Sequence, residues 1–233
     1  MIFLGDYLDP YGFENITVPE AIENFKEIID FKKENGDKVV LLLGNHDMPY
    51  FSKKYFGLSF YHCRHSMIHH KEISKLFREN RELFSIAHVE GDIIFTHAGI
   101  ESVWLSDYVK CDSDNINVIC HTLNSLLTSD DGMKKLFMIG SSRGGRDRHA
   151  SCIWADVHDM MWDVDGSSED VDGSSDKPVH KFKQVFGHTL QAFYGKDGKI
   201  EYDDAEEFGK CKMLDTTNAY ELDCENFAIE KIS

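Results

Sequence analysis

Three features are scarce or missing in this 233-residue sequence, and each excludes a class of protein. No apolar run reaches the roughly 20 residues that a membrane-spanning helix needs. The six cysteines include no CxxC pair and no zinc-finger spacing, which favours reduced thiols and a cytoplasmic location. Lys and Arg number 25 against 41 Asp and Glu, and the resulting net charge of −16 argues against nucleic acid as the main partner. We therefore expect neither a nucleic-acid partner nor a membrane partner.

The chain has the length and the apolar content of a single large domain, residues 1–233, with 42% hydrophobic residues to build a core. Residues 163–176 read DVDGSSE and then DVDGSSD, and this repeat lacks the Glu that ends a calcium-binding loop. We expect a mobile acidic insertion there, with weak cation binding as the alternative. Residues 190–233 contain short strands separated by turns, which predicts a C-terminal β-ribbon.

Four short segments share one pattern, in which an apolar run and a glycine accompany residues that can bind a metal or move a proton. In chain order they are GDYLD (residues 5–9), LLLGNHD (41–47), FTHAG (95–99) and VFGHT (185–189). A buried strand would bring each segment to the edge of a sheet, and the glycine would permit a tight turn there. One such segment is usually only a turn, but four of them ending in Asp, Asn, His and His indicate one site.

The spacing of the first two segments predicts a strand–helix–strand unit. Apolar residues at helical intervals predict a helix over residues 19–35, with a proline near its start and a glycine just past its end. A strand over residues 38–43 follows. Because such a unit makes its two strands parallel, Asp6 and Asn45 are expected at the same edge of the sheet.

Further elements follow along the chain. Apolar stripes predict helices over residues 69–84 and 115–127, the second with Asp114 as its N-cap. Two strands are expected on either side of Gly91, and the second leads directly to His97.

Together these segments resemble the calcineurin-like metallophosphoesterase superfamily, and within it the bacterial relatives of the serine/threonine phosphoprotein phosphatases. The resemblance implies a four-layer α/β/β/α sandwich. It also implies a hydrolase of phosphomonoesters that uses two divalent metal ions (Mn, Fe or Zn) and a metal-bound hydroxide. Its substrate would be a phosphorylated small molecule, a nucleotide or a phosphoprotein.

The resemblance assigns four residues to the metals. Asp6 would be the carboxylate that bridges the two ions, and the second ion would also be bound by Asn45, His97 and His188. An amide ligand carries no charge, so Asn45 would keep the ions electrophilic.

Two more residues are expected to move the proton. By resemblance, His46 would be the general acid, oriented by Asp9. A carboxylate beside a histidine raises its pKa and keeps it protonated, ready to donate to the leaving group. Asp9 has a simpler alternative role as the cap of a turn. Asp47 is expected to support its neighbours without binding metal.

The sequence departs from the family pattern at its beginning. Family members start with a strand that ends in an Asp-x-His motif, which supplies two ligands to the first metal. Here Met1 already lies in the strand that leads to GDYLD, so we expect a truncated form of a longer protein, with natural loss of half a metal site as the alternative. Either way, the second metal site would be better formed than the first, and activity would be impaired.

A second departure concerns phosphate binding. The phosphoprotein phosphatases have an Arg directly after the second Asp of the GDxxD motif, and that Arg contacts phosphate, whereas Asp9 is followed here by Pro10. A glycine-rich basic stretch, residues 140–148, contains three arginines. Among them Arg143, next to a glycine pair, is our candidate for the phosphate contact.

Five residues form a His-rich patch that invites a metal-binding interpretation: His62, Cys63, His65, His69 and His70. Their spacing has no regular ligand geometry, so we expect surface and substrate-cleft residues instead. Two alternative functions stay open. One is a dinucleoside polyphosphate or nucleotide hydrolase, which shares the motifs, and the other is a non-catalytic scaffold that has lost one metal site.

Overall fold

The computed structural model of the protein describes most of the chain. The described residues are 1–52, 54, 57, 62–157, 160, 181–189, 192–194, 200–202, 205–208, 210–214 and 219–232. The predicted acidic insertion at residues 163–176 lies outside them. Within this described part, no helix combines the length and the apolarity that crossing a membrane requires.

Helices and strands alternate in the first half of the chain, and strands dominate the second half. The α-helices among the described residues are α1 (Val18–Asn35), α2 (Met48–Phe51), α3 (His70–Glu79), α4 (Ile116–Ser125) and α5 (Asp130–Leu136), and Trp104–Val109 forms a π-helix. The strands are β1 (Ile2–Phe3), β2 (Val40–Leu42), β3 (Phe84–Ser85), β4 (Ala87–Glu90), β5 (Ile93–Thr96), β6 (Lys183–Phe186), β7 (Ala192–Tyr194), β8 (Ile200–Tyr202), β9 (Ala205–Phe208), β10 (Cys211–Leu214), β11 (Ala219–Asp223) and β12 (Ala228–Ile232).

Most of the strands belong to two sheets. Strands β1, β2 and β3 lie in that order in a parallel sheet. The second sheet has the order β4-β5-β6-β10-β9, with β5, β6 and β10 parallel and the two outer strands antiparallel to their neighbours. Strands β7 and β8 pair antiparallel, as do β11 and β12. Within the region predicted as a ribbon, residues 190–233, β10 enters the second sheet beside β6.

The two faces of β2 show how the sheets and helices stack. Leu41 lies on the face that packs with Phe25 of α1 in the main core. Leu42 points the opposite way and packs with Ile93 and Val185 of the second sheet in a smaller core. The two sheets thus face each other. Helix α1 covers the outer face of the first, and α4 packs on β4 and β5 of the second. This arrangement is the four-layer α/β/β/α sandwich, and it confirms the predicted fold class.

Helix α1 follows its sequence signals closely. Thr17 and Glu20 form a capping box, in which the Glu20 carboxylate accepts from the Thr17 backbone N–H at 2.8 Å. The helix ends at Gly36, whose positive φ of 54° suits a residue without a side chain and whose N–H donates to the Lys32 carbonyl. The predicted helix over residues 19–35 is confirmed.

Two other helix predictions need correction. The helix expected over residues 69–84 ends at Glu79, because the Asn80 amide donates to the Leu76 carbonyl at 2.8 Å and closes the last turn. The N-cap of α4 is Asn115 and not Asp114. The side chain of Asn115 accepts from the backbone N–H two residues further on, at 3.0 Å, in an Asx turn that leads into the helix.

The topology brings four strand ends to one place. Strands β1 and β2 are parallel neighbours, and so are β5 and β6. Each of the four is followed within a few residues by one of the predicted metal ligands. Since the carboxyl ends of parallel strands lie at the same edge of a sheet, the four loops can meet where the two sheets adjoin.

The burial of both faces of β2 can be tested by mutation. Leu41 and Leu42 are both fully buried, on opposite faces. Truncating either to Ala should lower the free energy of unfolding by about 2–5 kcal/mol, because each leaves a cavity. Urea unfolding measures this loss, and Val118→Ala on the exposed face of α4 is the control, since Val118 is 47% exposed. A loss below about 1 kcal/mol at either leucine would mean that one face of β2 is open to solvent.

Candidate metal centre

Side chains from all four motif segments meet around one nitrogen atom. The Nε2 atom of His97 lies 3.1 Å from Asn45 Oδ1, 3.1 Å from His188 Nδ1 and 3.4 Å from Asp6 Oδ2. We call these four residues the donor cluster. Its two histidines and its carboxylate keep their ligand atoms within 4.8 Å of one another, and among the described residues no other group of three His, Cys, Asp or Glu side chains does so.

Unusual backbone conformations bring Asp6 into the donor cluster. Gly5 has a φ of 101° and Asp6 a φ of 59°, so the chain turns sharply after β1. Gly44 lies directly against this turn. A Cβ atom at position 44 would overlap Asp6 Oδ1 and would lie 2.8 Å from His97 Cε1. The glycine in the LLLGNHD segment therefore leaves the space that the carboxylate occupies.

One hydrogen bond sets the orientation of His97. Its Nδ1–H donates to the Leu4 carbonyl at 2.7 Å, which leaves the Nε2 lone pair facing the donor cluster. Burial would lower the pKa of His97, but the neighbouring Asp6 carboxylate outweighs burial and raises it above its ordinary value. A carbonyl on one nitrogen and converging acceptors on the other is the arrangement expected of a metal-binding imidazole.

His188 is held neutral. Burial lowers the pKa of His188 well below its ordinary value, and the positive charge of Arg143 adds to this effect. The residue has a φ of 76°, and its Nε2 atom is buried without a hydrogen-bond partner among the described residues. A neutral imidazole can offer its Nδ1 lone pair to a cation, which is the chemistry that the donor cluster requires.

The donor cluster fits a divalent cation. Because the Nδ1–H of His97 donates to the Leu4 carbonyl, the neutral imidazole presents a lone pair at Nε2, and the Asn45 amide oxygen and the Asp6 carboxylate present theirs to the same point. Buried lone pairs facing one another at about 3 Å repel unless a proton or a cation lies between them. Burial alone would raise the pKa of Asp6, but the three nearby histidines hold it below its ordinary value, so the carboxylate is charged. Imidazole, amide and carboxylate are donors that manganese, iron and zinc accept.

Asp47 joins the first two motif loops. Its Oδ2 accepts from the backbone N–H groups of Asp6, at 2.8 Å, and Gly44, at 2.9 Å, while its Oδ1 accepts from that of Tyr7 at 3.1 Å. Burial, aided by the charge of Asp6, raises the pKa of Asp47 to about 8, and the backbone donors oppose the shift. In this structure Asp47 touches the backbone that carries the donor cluster and none of the cluster's ligand atoms.

A buried pair of side chains lies beside the donor cluster. His46 Nδ1 is 3.3 Å from Asp9 Oδ2, and the His46 backbone N–H donates to Asp6 Oδ1 at 2.9 Å. Asp9 is 2% exposed and also has a positive φ of 61°. The structure thus brings the two residues predicted to move the proton into contact with each other, and it ties His46 to the predicted bridging carboxylate.

Tyr50 was missed by the sequence interpretation. Its hydroxyl donates to Asp9 Oδ1 at 2.6 Å and accepts from the Ser66 backbone N–H at 2.8 Å. Burial and the neighbouring Asp9 raise the pKa of Tyr50, so the hydroxyl keeps its proton. The one signal in the sequence was proximity, because Tyr50 lies four residues after His46, within α2, which follows the turn that contains His46.

The His-rich patch lies behind this pair. His65 stacks on the Tyr50 ring, with centroids 4.3 Å apart, and its Nε2 lies 3.1 Å from His70 Nδ1. Burial lowers the pKa of His65 to about 4. None of the five residues belongs to the donor cluster: His65 and His70 pack against Tyr50, His62 lies edge-on to Trp154, and the Cys63 thiol donates to the Asn45 carbonyl at 3.5 Å.

Arg143 lies beside His188. Its Nη2 donates to the Thr189 hydroxyl at 2.5 Å, and its Nε lies 2.9 Å from Asp156 Oδ2. The predicted phosphate contact is thus placed next to the donor cluster, and it is anchored by the aspartate of the Trp-Ala-Asp segment that follows the basic loop.

Comparison with known proteins agrees with this geometry. The sequence profile of the calcineurin-like phosphoesterases matches residues 1–192. The match covers most of the chain, and the protein therefore belongs to the calcineurin-like phosphoesterase family, whose members are metal-dependent hydrolases of phosphoesters. No curated protein and no solved structure matches the chain significantly.

Removing single ligands tests the donor cluster. We expect Asn45→Ala and His188→Ala to weaken Mn²⁺ binding by at least roughly tenfold, since even residues that only orient a ligand contribute about 10–100-fold. Calorimetric titration measures the affinity, and circular dichroism checks that the variants fold. His121→Ala, at an exposed position, is the matched control. Unchanged Mn²⁺ binding in either cluster variant would show that the residue is not a ligand.

Asp47 gives a second, indirect test. Asp47→Asn keeps the size of the side chain but turns an N–H₂ group towards backbone donors, so one acceptor is lost. We expect Mn²⁺ affinity to fall about 10–100-fold although no ligand is removed. The free energy of unfolding should also fall by about 1–3 kcal/mol. Asp37→Asn on the surface is the control. If the two variants had the same Mn²⁺ affinity and the same free energy of unfolding, Asp47 would not be the residue that holds the two loops.

Proposed function

We propose that the protein hydrolyses phosphomonoesters at the donor cluster. One observation carries this proposal, namely the convergence of four ligand atoms from four loops next to a buried histidine–aspartate pair. A metal site alone would suit many roles. A metal site with an adjacent proton donor suits hydrolysis, because the leaving alkoxide needs a proton.

The donor cluster would hold the metal. When bound there, a divalent ion draws charge from phosphoryl oxygens and makes water a better nucleophile at neutral pH. We further propose that Asp6 is the carboxylate shared with a second ion, which would be bound more weakly, because among the described residues the donor cluster contains the one group of three His, Cys, Asp or Glu ligands. The two Asp6 oxygens have separate surroundings, since Oδ2 faces His97 while Oδ1 accepts from the His46 backbone. Manganese suits this mixture of oxygen and imidazole donors.

His46 would deliver the proton. Asp9 contacts Nδ1 of the ring and orients the imidazole. The remaining nitrogen, Nε2, would carry the proton that passes to the oxygen of the leaving alcohol. The backbone bond from His46 to Asp6 keeps this donor next to the metal ligands.

Arg143 would contact the phosphate on the His188 side. Its guanidinium is anchored by Asp156 and Thr189. Its positive charge adds to the effect of burial in lowering the pKa of His188. A fixed guanidinium beside a metal site can share the negative charge of a phosphoryl group.

The nature of the leaving group tests this function. With Mn²⁺ bound, the protein should hydrolyse both p-nitrophenyl phosphate and alkyl phosphates. His46→Ala should slow alkyl phosphates by about 10²–10⁴-fold, the usual contribution of a general acid, and nitrophenyl phosphate far less, because nitrophenolate leaves without a proton. Steady-state rates on the two substrates give the comparison, with His121→Ala as control.

Two results would count against the proposal. Equal losses on both substrates would show that His46 binds metal or phosphate and is not the acid. A metal-loaded protein that hydrolyses nucleotides or dinucleoside polyphosphates but no phosphomonoester would replace the proposed substrate class.

A further inference from the structure

A cavity of about 740 Å³ opens onto the donor cluster. Its lining includes Asp6, His97 and His188 of the donor cluster, and also Arg64 and the loop that follows Asp9. This volume lies in the range of ligand-binding pockets. It is therefore a route by which a substrate can reach the donor cluster.

The charged side chains of the cavity wall are mostly acidic. Apart from Asp6 and Asp9, its described wall includes three acidic residues, Glu14, Glu90 and Glu221. Among the described residues that line the cavity, Arg64 is the single Lys or Arg. Most of the other lining residues are apolar, so among the side chains of the described wall Arg64 is the one fixed positive charge that can attract a phosphate dianion in a protein of net charge −16.

The guanidinium of Arg64 is held by two contacts with the loop after Asp9. Its Nε–H donates to the Asp9 backbone carbonyl at 3.0 Å. Its central carbon lies 3.5 Å above the centroid of the Tyr11 ring, in a cation–π contact. These contacts involve one edge and one face of the planar group, so the side chain is positioned before any ligand arrives.

The outer edge of the guanidinium is available. Arg64 is exposed, and within the described part of the chain no group accepts a hydrogen bond from its two Nη atoms. Paired Nη donors match two oxygens of one phosphate in a bidentate contact, which a lysine or a single amide cannot reproduce.

We propose that Arg64 binds the phosphoryl group of the substrate on the Asp9 side of the donor cluster. This inference rests on the proposed function and names a binding residue additional to Arg143. The carbonyl that anchors Arg64 belongs to the same Asp9 that contacts His46. A phosphate on Arg64 is thereby kept close to the predicted proton donor.

Arg64→Gln tests the inference, because it removes the charge but keeps a polar side chain. We expect KM for p-nitrophenyl phosphate, and the inhibition constant of inorganic phosphate, to rise roughly ten- to hundredfold, as for the loss of a charged hydrogen-bonding group. Mn²⁺ affinity should stay the same, since Arg64 touches no ligand atom. Arg64→Lys should recover only part of the loss, because an ammonium lacks the paired donors.

Two further variants sharpen the result. Arg146→Gln makes the same change of charge at an exposed position away from the cavity wall and should leave KM and phosphate inhibition unchanged. Tyr11→Leu keeps Arg64 but removes its aromatic platform, and should weaken phosphate binding by about two- to fivefold. Equal weakening by Arg64→Gln and Arg146→Gln would overturn the inference, because it would reflect net charge alone.

Different results would disprove the role of Arg64 and the proposed hydrolysis. If the wild-type protein hydrolyses phosphomonoesters and Arg64→Gln changes neither KM nor phosphate inhibition, the Arg64 inference fails and the function stands. If the wild-type protein hydrolyses none, calorimetric titration of the Mn²⁺-loaded proteins with inorganic phosphate still decides. Weaker phosphate binding by folded Arg64→Gln than by Arg146→Gln supports the Arg64 site, and equal binding overturns it.

Discussion

The geometry of the site depends on one buried carboxylate. Asp47 accepts hydrogen bonds from backbone groups of both motif loops, those of Asp6 and Tyr7 after β1 and that of Gly44 after β2. Parallel pairing of two short strands defines their direction but leaves the loops beyond them free to move. The three hydrogen bonds remove that freedom, and they do so without occupying the ligand atoms.

The positions of the predicted ligands depend on these two fixed loops. Asp6 is close enough to accept from the His46 backbone, and Gly44 leaves the space that its carboxylate needs. The second sheet then brings His97 and His188 to the same point from the opposite side. The lone pairs that converge there need a proton or a cation between them, and a divalent metal ion suits all four donors at once. The loop that carries Asp9 also positions the proposed phosphate-binding residue, because the Asp9 carbonyl and the Tyr11 ring both contact the guanidinium of Arg64.

Much of the fold and of the donor cluster could be predicted because the information is local. Each strand of the β1–α1–β2 unit is encoded by a contiguous apolar run, and parallel topology then determines where the next residues lie. The insertion of β10 beside β6 was missed, because strand partners distant in sequence leave no local signal. Tyr50 and Arg64 were also missed, since each acts through a long-range contact with Asp9, Tyr50 from α2 and Arg64 from within the His-rich segment. The end of α3 was misplaced because a side-chain bond from Asn80 competes with a favourable helical stripe.

The central claim is that one point in the structure, next to His97 Nε2, is a metal site. Anomalous diffraction from crystals grown with Mn²⁺ tests it most directly. The account predicts a manganese peak within roughly 2.0–2.3 Å of ligand atoms from Asp6, Asn45, His97 and His188. A strongest peak at His65 in the His-rich patch, or an intact contact between His97 and Asn45 with no ion between them, would contradict it.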